Sequence, residues 1–252
     1  MTNMTHQNLP PQTMTPPILA SLIDHTLLKP EATLDDIRKL CQEALTHGFA
    51  SVCVNSHCLE MASTILRNSS VMPIVVVGFP FGANLTSVKV FETQQCLSLG
   101  AKEIDMVINI GALKSGDHEL VLNDIRQVVI AAGSTPVKVI LETAALTDAE
   151  IVKGCELALQ AGAAFVKTST GFHSKGGASI HSVQLMRQTV GARMGVKASG
   201  GIRTYQDALD MIKAGANRIG ASASVSMVGG LQAQSHEAQS TEKRKSNHDQ
   251  SY

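Results

Sequence analysis

Short apolar runs alternate along the chain with longer stretches in which apolar residues recur every three to four positions. The runs fall at 51–55, 72–79, 103–109 and 137–143, then at 165–171, 195–201 and 218–222, with a first short strand expected at Ser21–His25. Runs without internal alternation belong to strands buried on both faces, the mark of a parallel sheet. Between them the periodicity predicts helices. One opens at Thr33 as N-cap, with Asp35 and Asp36 in the first turn and Leu34, Ile37, Leu40, Cys41 and Leu45 as its apolar stripe, and closes at Gly48. Others are expected to about Arg67, over Thr86–Leu99 and over Asp117–Ala132. Three more follow: from the capping box Thr147-Asp148-Ala149-Glu150 to just before Gly162, over Ser179–Gly191, and over Thr204–Ala214. Gly48, Gly100, Gly162 and Gly215 each end a helix shortly before a strand, a weak internal repeat. Eight strand–helix units predict an α/β fold, a (β/α)8 barrel of the TIM type, over residues 16–230. The polar stretch 1–15 is expected to be a disordered lead and 231–252 a flexible tail. A doubly wound open sheet competes, but the first strand's end, Asp24-His25-Thr26, has no glycine-rich dinucleotide turn.

Composition narrows the function. The 252 residues include 44% hydrophobic residues and no tryptophan, so one sizeable aliphatic core is expected. A formal net charge of +0 argues against an electrostatic nucleic-acid surface. Five cysteines without a Cys-x-x-Cys pair point to a reducing, cytoplasmic setting. The N-terminus lacks a signal-peptide pattern, and no apolar run approaches the roughly 18 residues of a membrane span. The nine histidines show no metal-ligand spacing, so a metal-dependent mechanism is not expected.

The unusual feature is a pair of look-alike strands, Phe165-Val166-Lys167-Thr168-Ser169-Thr170-Gly171 and Gly195-Val196-Lys197-Ala198-Ser199-Gly200-Gly201. Each carries a lysine in an apolar run. Ammonium groups ~5 Å apart on neighbouring strands repel by roughly 3 kcal/mol at an effective dielectric of 20. One amine would then be largely unprotonated, a nucleophile toward carbonyls. The residues alone do not say which. Asp105 is a buried carboxylate among apolar neighbours and needs a cation, either these lysines or Lys138. Lys138 is itself a third candidate nucleophile, although Glu142 on the same face is its expected partner. Asp24 and Thr26 are polar where the barrel mouth should be, while Cys53 reads as core with a thiol near any bound aldehyde. Gly171, Ser199, Gly200, Gly201, Gly220 and Ser222 follow or end strands six to eight, where these barrels cradle phosphate.

These stretches, with Ile23-Asp24-His25-Thr26-Leu27-Leu28, Val77-Gly78-Phe79-Pro80-Phe81-Gly82 and Val196-Lys197-Ala198-Ser199-Gly200-Gly201-Ile202-Arg203, resemble the deoxyribose-phosphate aldolase family over about residues 20–225. The resemblance implies a class I aldolase that needs neither a metal nor an organic cofactor, acting on 2-deoxy-D-ribose 5-phosphate and giving acetaldehyde and D-glyceraldehyde 3-phosphate. It implies Lys167 as the Schiff-base lysine, Lys197 as the residue that keeps it deprotonated, Asp105 as proton donor and acceptor with Lys197, and Asp24 and Thr26 as supports of a hydrogen-bond network. The expected route breaks C3–C4 after iminium formation. Its partners would be small sugar phosphates and aldehydes, and a dimer or tetramer is expected. Position 223 is Ala where some members carry a second serine. Some members use a C-terminal tyrosine; this chain ends in Tyr252 after a long polar tail, and that role is not carried over. A phosphate-binding isomerase with Lys197 and Asp105 as acid and base, and a barrel that only binds sugar phosphates, remain as competing readings.

Overall fold

A computed structural model describes residues 14–229. Eight strands carry the fold: β1 Ile23–Leu27, β2 Ser51–Val54, β3 Met72–Val77, β4 Glu103–Val107, β5 Val137–Ile140, β6 Phe165–Lys167, β7 Gly195–Ser199 and β8 Arg218–Ala221. All pair in parallel in chain order, and β8 pairs with β1 through Asp24↔Gly220 to close the barrel. Around it run α1 Pro16–Ala20, α2 Leu34–His47, α3 Leu59–Leu66, α4 Thr86–Ser98, α5 Ile110–Lys114, α6 His118–Ala132, α7 Asp148–Gln160, α8 Ile180–Val190 and α9 Tyr205–Lys213.

Local chemistry sets the helix boundaries. Thr33, Thr147, Ser179 and Thr204 each accept a backbone N–H at the third helical position, while the residue there bonds back to the cap. Such caps contribute about 1 kcal/mol each. Gly48 ends α2 in the left-handed region at φ 66°.

Four expectations shift. The first strand starts at Ile23, not Ser21, because the Ser21 amide closes α1 on Pro17 O and its hydroxyl donates to Ile18 O. On α2 the buried face is Ile37, Leu40, Cys41 and Ala44, and Leu34 and Leu45 at the edges of the stripe are exposed. The periodicity did not predict α5, whose single short turn is held by Asn109 Oδ1 accepting from Ala112 N. Order also begins earlier than Pro16, since Met14 is buried in the core and Thr15 O accepts from Leu19 N. The expectations for 1–13 and 230–252, Tyr252 included, lie outside the described residues.

The main core is aliphatic and lies between strands and helices. Inside the barrel a second, small apolar cluster of Leu28, Cys53, Ile74 and Val76, with Phe79 against it, lines the β2–β3 side. The opposite half of the interior is charged. That division places the candidate site. Among the described residues no helix is long and apolar enough to cross a membrane.

Candidate active site

Side chains from strands that are not neighbours can meet only through the barrel interior. Asp24 on β1, Glu103 and Asp105 on β4, Lys138 on β5, Lys167 on β6, Lys197 on β7 and Arg218 on β8 all do so. The alternation of strand side chains supplies the logic: Glu103 and Asp105 lie two apart and share a face. Lys167 and Lys197 are register partners, as are Lys197 and Arg218.

Asp105 is the hub. Its Oδ2 accepts from Lys197 Nζ at 2.7 Å and from Lys167 Nζ at 2.9 Å, and its Oδ1 accepts from Lys138 Nζ at 3.1 Å. Lys138 also bonds Glu103. Lys197 Nζ lies 2.6 Å from Asp24 Oδ2, at an angle that makes this an ion contact and leaves Oδ2 open as an acceptor. Asp24 Oδ1 accepts from Ser51 Oγ at 2.6 Å and from Arg218 Nε at 2.9 Å. Arg218 Nη2 stands 3.7 Å from Glu103 Oε2. The contacts therefore run in a closed circuit, Arg218–Asp24–Lys197–Asp105–Lys138–Glu103 and back to Arg218, alternating cation and anion. Lys167 hangs from it by one carboxylate oxygen that it shares with Lys197.

Burial here is nearly complete: Asp24, Asp105, Lys138 and Lys197 have no exposure and Lys167 is 2% exposed. Burial alone would push the Asp24 and Asp105 carboxyls up. The surrounding cations, Lys197 foremost for Asp24 and Lys138 for Asp105, reverse this and hold both below the usual carboxylate range. Burial would likewise push Lys197 down, but Asp105 and Asp24 lift it well above an ordinary lysine. This corrects the bare two-lysine picture. Lys197 is a firmly held ammonium, because a carboxylate oxygen sits against both amines. It also corrects the expected Lys138–Glu142 pairing. Lys138 turns to Glu103 and Asp105, whereas Glu142, in the left-handed region at φ 59°, accepts from the amide and hydroxyl of Thr170.

The floor beneath the lysines is closed by Phe165, whose ring centroid lies 5.7 Å from Lys138 Nζ. Gly195 makes room for that ring: a Cβ there would come within 2.1 Å of it. At the opposite end the loops after β6 and β7 pack together, with Ala178 N donating to Ser199 O and Gly200 O. Gly171, Gly200 and Gly201 have φ of 86°, 84° and 81°, an open mouth of backbone amides beside exposed Ser222.

Residues 18–233 match the family described as DeoC/LacD family aldolase. The chain belongs to the DeoC/LacD aldolase family. It is 58% identical over 215 residues to the deoxyribose-phosphate aldolase of Streptococcus sanguinis, covering 85% of this chain and 97% of that one. It is 56% identical over 211 residues to that of Clostridium tetani, covering 83% and 97%. Among solved structures it is similar to the deoxyribose phosphate aldolase of Aeropyrum pernix, described as a unique tetramer, at TM-score 0.81, 35% identity and coverage of 87% and 93%.

Within this aldolase-family barrel the remaining expected residues take different places. Cys53 is buried in the apolar wall, and burial pushes its thiol up, with Lys197 pulling the other way. Thr26 Oγ1 donates to Asp24 O at 2.8 Å. Ser199 is committed within the protein: its hydroxyl donates to Ser169 O at 2.6 Å and its amide to Thr168 Oγ1 at 3.0 Å. Gly220 lies inside β8, where a Cβ would stand 3.0 Å from Lys197 Cε, so it makes room for that lysine. Sequence reasoning missed Arg218 and Glu103. Glu103 was findable, since it shares the Asp105 face; Arg218 had no sequence signal beyond its place on the last strand. Among the described residues no His, Cys, Asp and Glu group is arranged to hold a metal.

Proposed function

We propose that this protein cleaves 2-deoxy-D-ribose 5-phosphate, reversibly, to acetaldehyde and D-glyceraldehyde 3-phosphate, with Lys167 as the Schiff-base lysine. The observation that carries the reading is the charge arrangement. Arg218, Lys197 and Lys138 balance Asp24, Asp105 and Glu103, and Lys167 is the one amine outside that balance. A neutral amine is what attack on an aldehyde requires. Family membership and the names of the curated relatives support the substrate.

The Lys167 amine adds to the C1 aldehyde, and loss of water leaves an iminium. The Asp105–Lys197 pair, through water, takes the proton from the C3 hydroxyl. The C2–C3 bond breaks, and its electron pair forms the enamine and neutralises the nitrogen. A two-carbon product from a five-carbon sugar requires that bond, which corrects the expected C3–C4 scission. D-glyceraldehyde 3-phosphate leaves, C2 is protonated, and hydrolysis frees acetaldehyde and Lys167. The iminium is the electron sink, and Lys197 supplies and recovers protons without leaving its ion contacts. The amides around Gly171, Gly200 and Gly201, with Ser222, are suited to hold the phosphate. Asp24 and Thr26 support the relay from β1.

A homo-oligomer, dimer or tetramer, is part of this proposal. The tetrameric Aeropyrum pernix relative and the exposed Phe81, Leu85 and Phe91 support it, and light scattering after size exclusion measures it. A cytoplasmic setting fits the free cysteines.

The decisive experiment is borohydride reduction in the presence of 2-deoxyribose 5-phosphate, followed by peptide mass spectrometry. The expected adduct is on Lys167, and Lys167→Leu removes both adduct and turnover. An unmodified Lys167 in substrate-saturated protein overturns the proposal and favours the isomerase reading.

A further inference from the structure

Two members of the charge circuit, Arg218 and Glu103, have no part in the chemistry above. Arg218 begins β8 and Glu103 begins β4. Both therefore sit at the floor of the barrel, beside Phe165, at the end away from the mouth. Arg218 reaches Asp24 and Glu103; Glu103 reaches Lys138 and Arg218. Without them the interior would hold Lys138, Lys167 and Lys197 against Asp24 and Asp105.

We propose that Arg218 and Glu103 are positioning residues that close a charge-neutral ring beneath Lys167, and that this closure leaves the Lys167 amine without a carboxylate oxygen of its own. The proposal deepens the Schiff-base reading of Lys167 and rests on it. The physical cause is the cost of a net charge in a buried, low-dielectric site. With the ring closed, three cations meet three carboxylates, and any further cation within it would be a surplus charge. With Arg218 removed, two cations meet three carboxylates, and the site must take up a proton to restore balance. With Glu103 removed, three cations meet two carboxylates, and an amine, Lys197 included, must give a proton up. Every titratable or charged neighbour of these groups belongs to the count. Asp24 faces Lys197, Arg218, Lys138 and Asp105. Lys197 faces Asp105, Asp24 and the Cys53 thiol. Asp105 faces all three lysines.

The two floor residues therefore act on opposite limbs of the pH–activity curve. In Arg218→Gln the acid limb of kcat moves up by about one to three pH units. In Glu103→Gln the base limb moves down by a similar amount, because Lys197 loses its ammonium earlier. Arg218→Lys, which keeps the charge but not the fork, returns the acid limb toward wild type. The double variant R218Q/E103Q leaves two cations against two carboxylates, so both limbs return toward wild type although every contact of both side chains has gone. A purely structural role predicts the reverse, with losses that add and limbs that stay in place.

The experiment is the pH dependence of kcat for the full chain and these four variants, with folding checked by circular dichroism and borohydride trapping run in parallel. Limbs that move in opposite directions and recover in the double variant support the proposal. Profiles superimposable on wild type, or a double variant worse than both singles, overturn it. If Arg218→Gln does not fold, the Arg218→Lys and Glu103→Gln profiles decide, and an unmoved base limb in Glu103→Gln overturns it. Trapping separates the two claims. An adduct on Lys167 with unmoved limbs sinks only the ring, whereas no adduct on Lys167 in the wild type sinks the Schiff-base reading itself.

Discussion

Asp105→Asn removes the carboxylate on which three lysine amines converge, while keeping the shape of the side chain. Each contact, at 2.7 to 3.1 Å, carries an attraction of about 5–6 kcal/mol at an effective dielectric of 20. The folded protein does not lose that whole sum, because a buried lysine left unpaired escapes by releasing its proton. Releasing a proton from an ordinary lysine at pH 7 costs roughly 1.4 kcal/mol for each of the three to four units that separate pH 7 from its usual value. The cost of the substitution is thereby capped at about 5 kcal/mol, in line with the ~3–5 kcal/mol for breaking a buried ion pair from one side. The sign of the pH dependence follows. The folded variant lacks a proton that its unfolded chain still binds, so relative to wild type its stability rises by about 1.4 kcal/mol per pH unit above pH 7. On the acid side, Asp105 in the wild type is held below the usual carboxylate range. Its contribution is complete above the unfolded carboxylate value of about 3.9 and is lost as pH falls below that. Urea unfolding followed by circular dichroism from pH 3 to pH 9 measures all of this, and turnover should fall by about 100- to 10,000-fold. A stability loss under about 1 kcal/mol at pH 7, or a difference from wild type that stays flat between pH 7 and pH 9, would refute the charge accounting.

Two further outcomes test the scaffold. Lys89 and Asp124 form a second buried pair at 2.6 Å, with Lys89 also donating to Val107 O at the end of β4 and Thr86 Oγ1 donating to Asp124. Lys89→Met should cost ~3–5 kcal/mol in urea unfolding because Asp124 is stranded, while Lys89→Met with Asp124→Leu should recover most of it; equal losses would contradict a desolvation cause. Gly195→Ala puts a Cβ about 2 Å from the Phe165 ring, so a loss of about 1–3 kcal/mol is expected, and Gly195→Ala with Phe165→Leu should regain part of it.

Much of the fold was legible before any coordinates. The threonine and serine caps act over three residues, and their bonds form inside one helix turn, so Thr33, Thr147, Ser179 and Thr204 announced their helices without help from the rest of the chain. Unbroken apolar runs at regular spacing made a closed parallel barrel the expected architecture. Strand periodicity put Lys167 and Lys197 on inward-facing, registered positions. It also put Asp105 opposite them, since a charged residue in such a run can be satisfied only inside. What the sequence could not contain was the company those residues keep. Asp24, Asp105, Lys197 and Arg218 lie on four strands spread over most of the chain, and they touch only because the barrel closes. Read as a pair, the two lysines repel and are interchangeable. Seen in the closed barrel, Lys197 has two carboxylates and Lys167 shares one oxygen, and the roles proposed for the two lysines rest on that difference. Local sequence sets which face a side chain takes; tertiary closure sets which charges meet there, because Coulomb interactions depend on distance in space and not on distance along the chain.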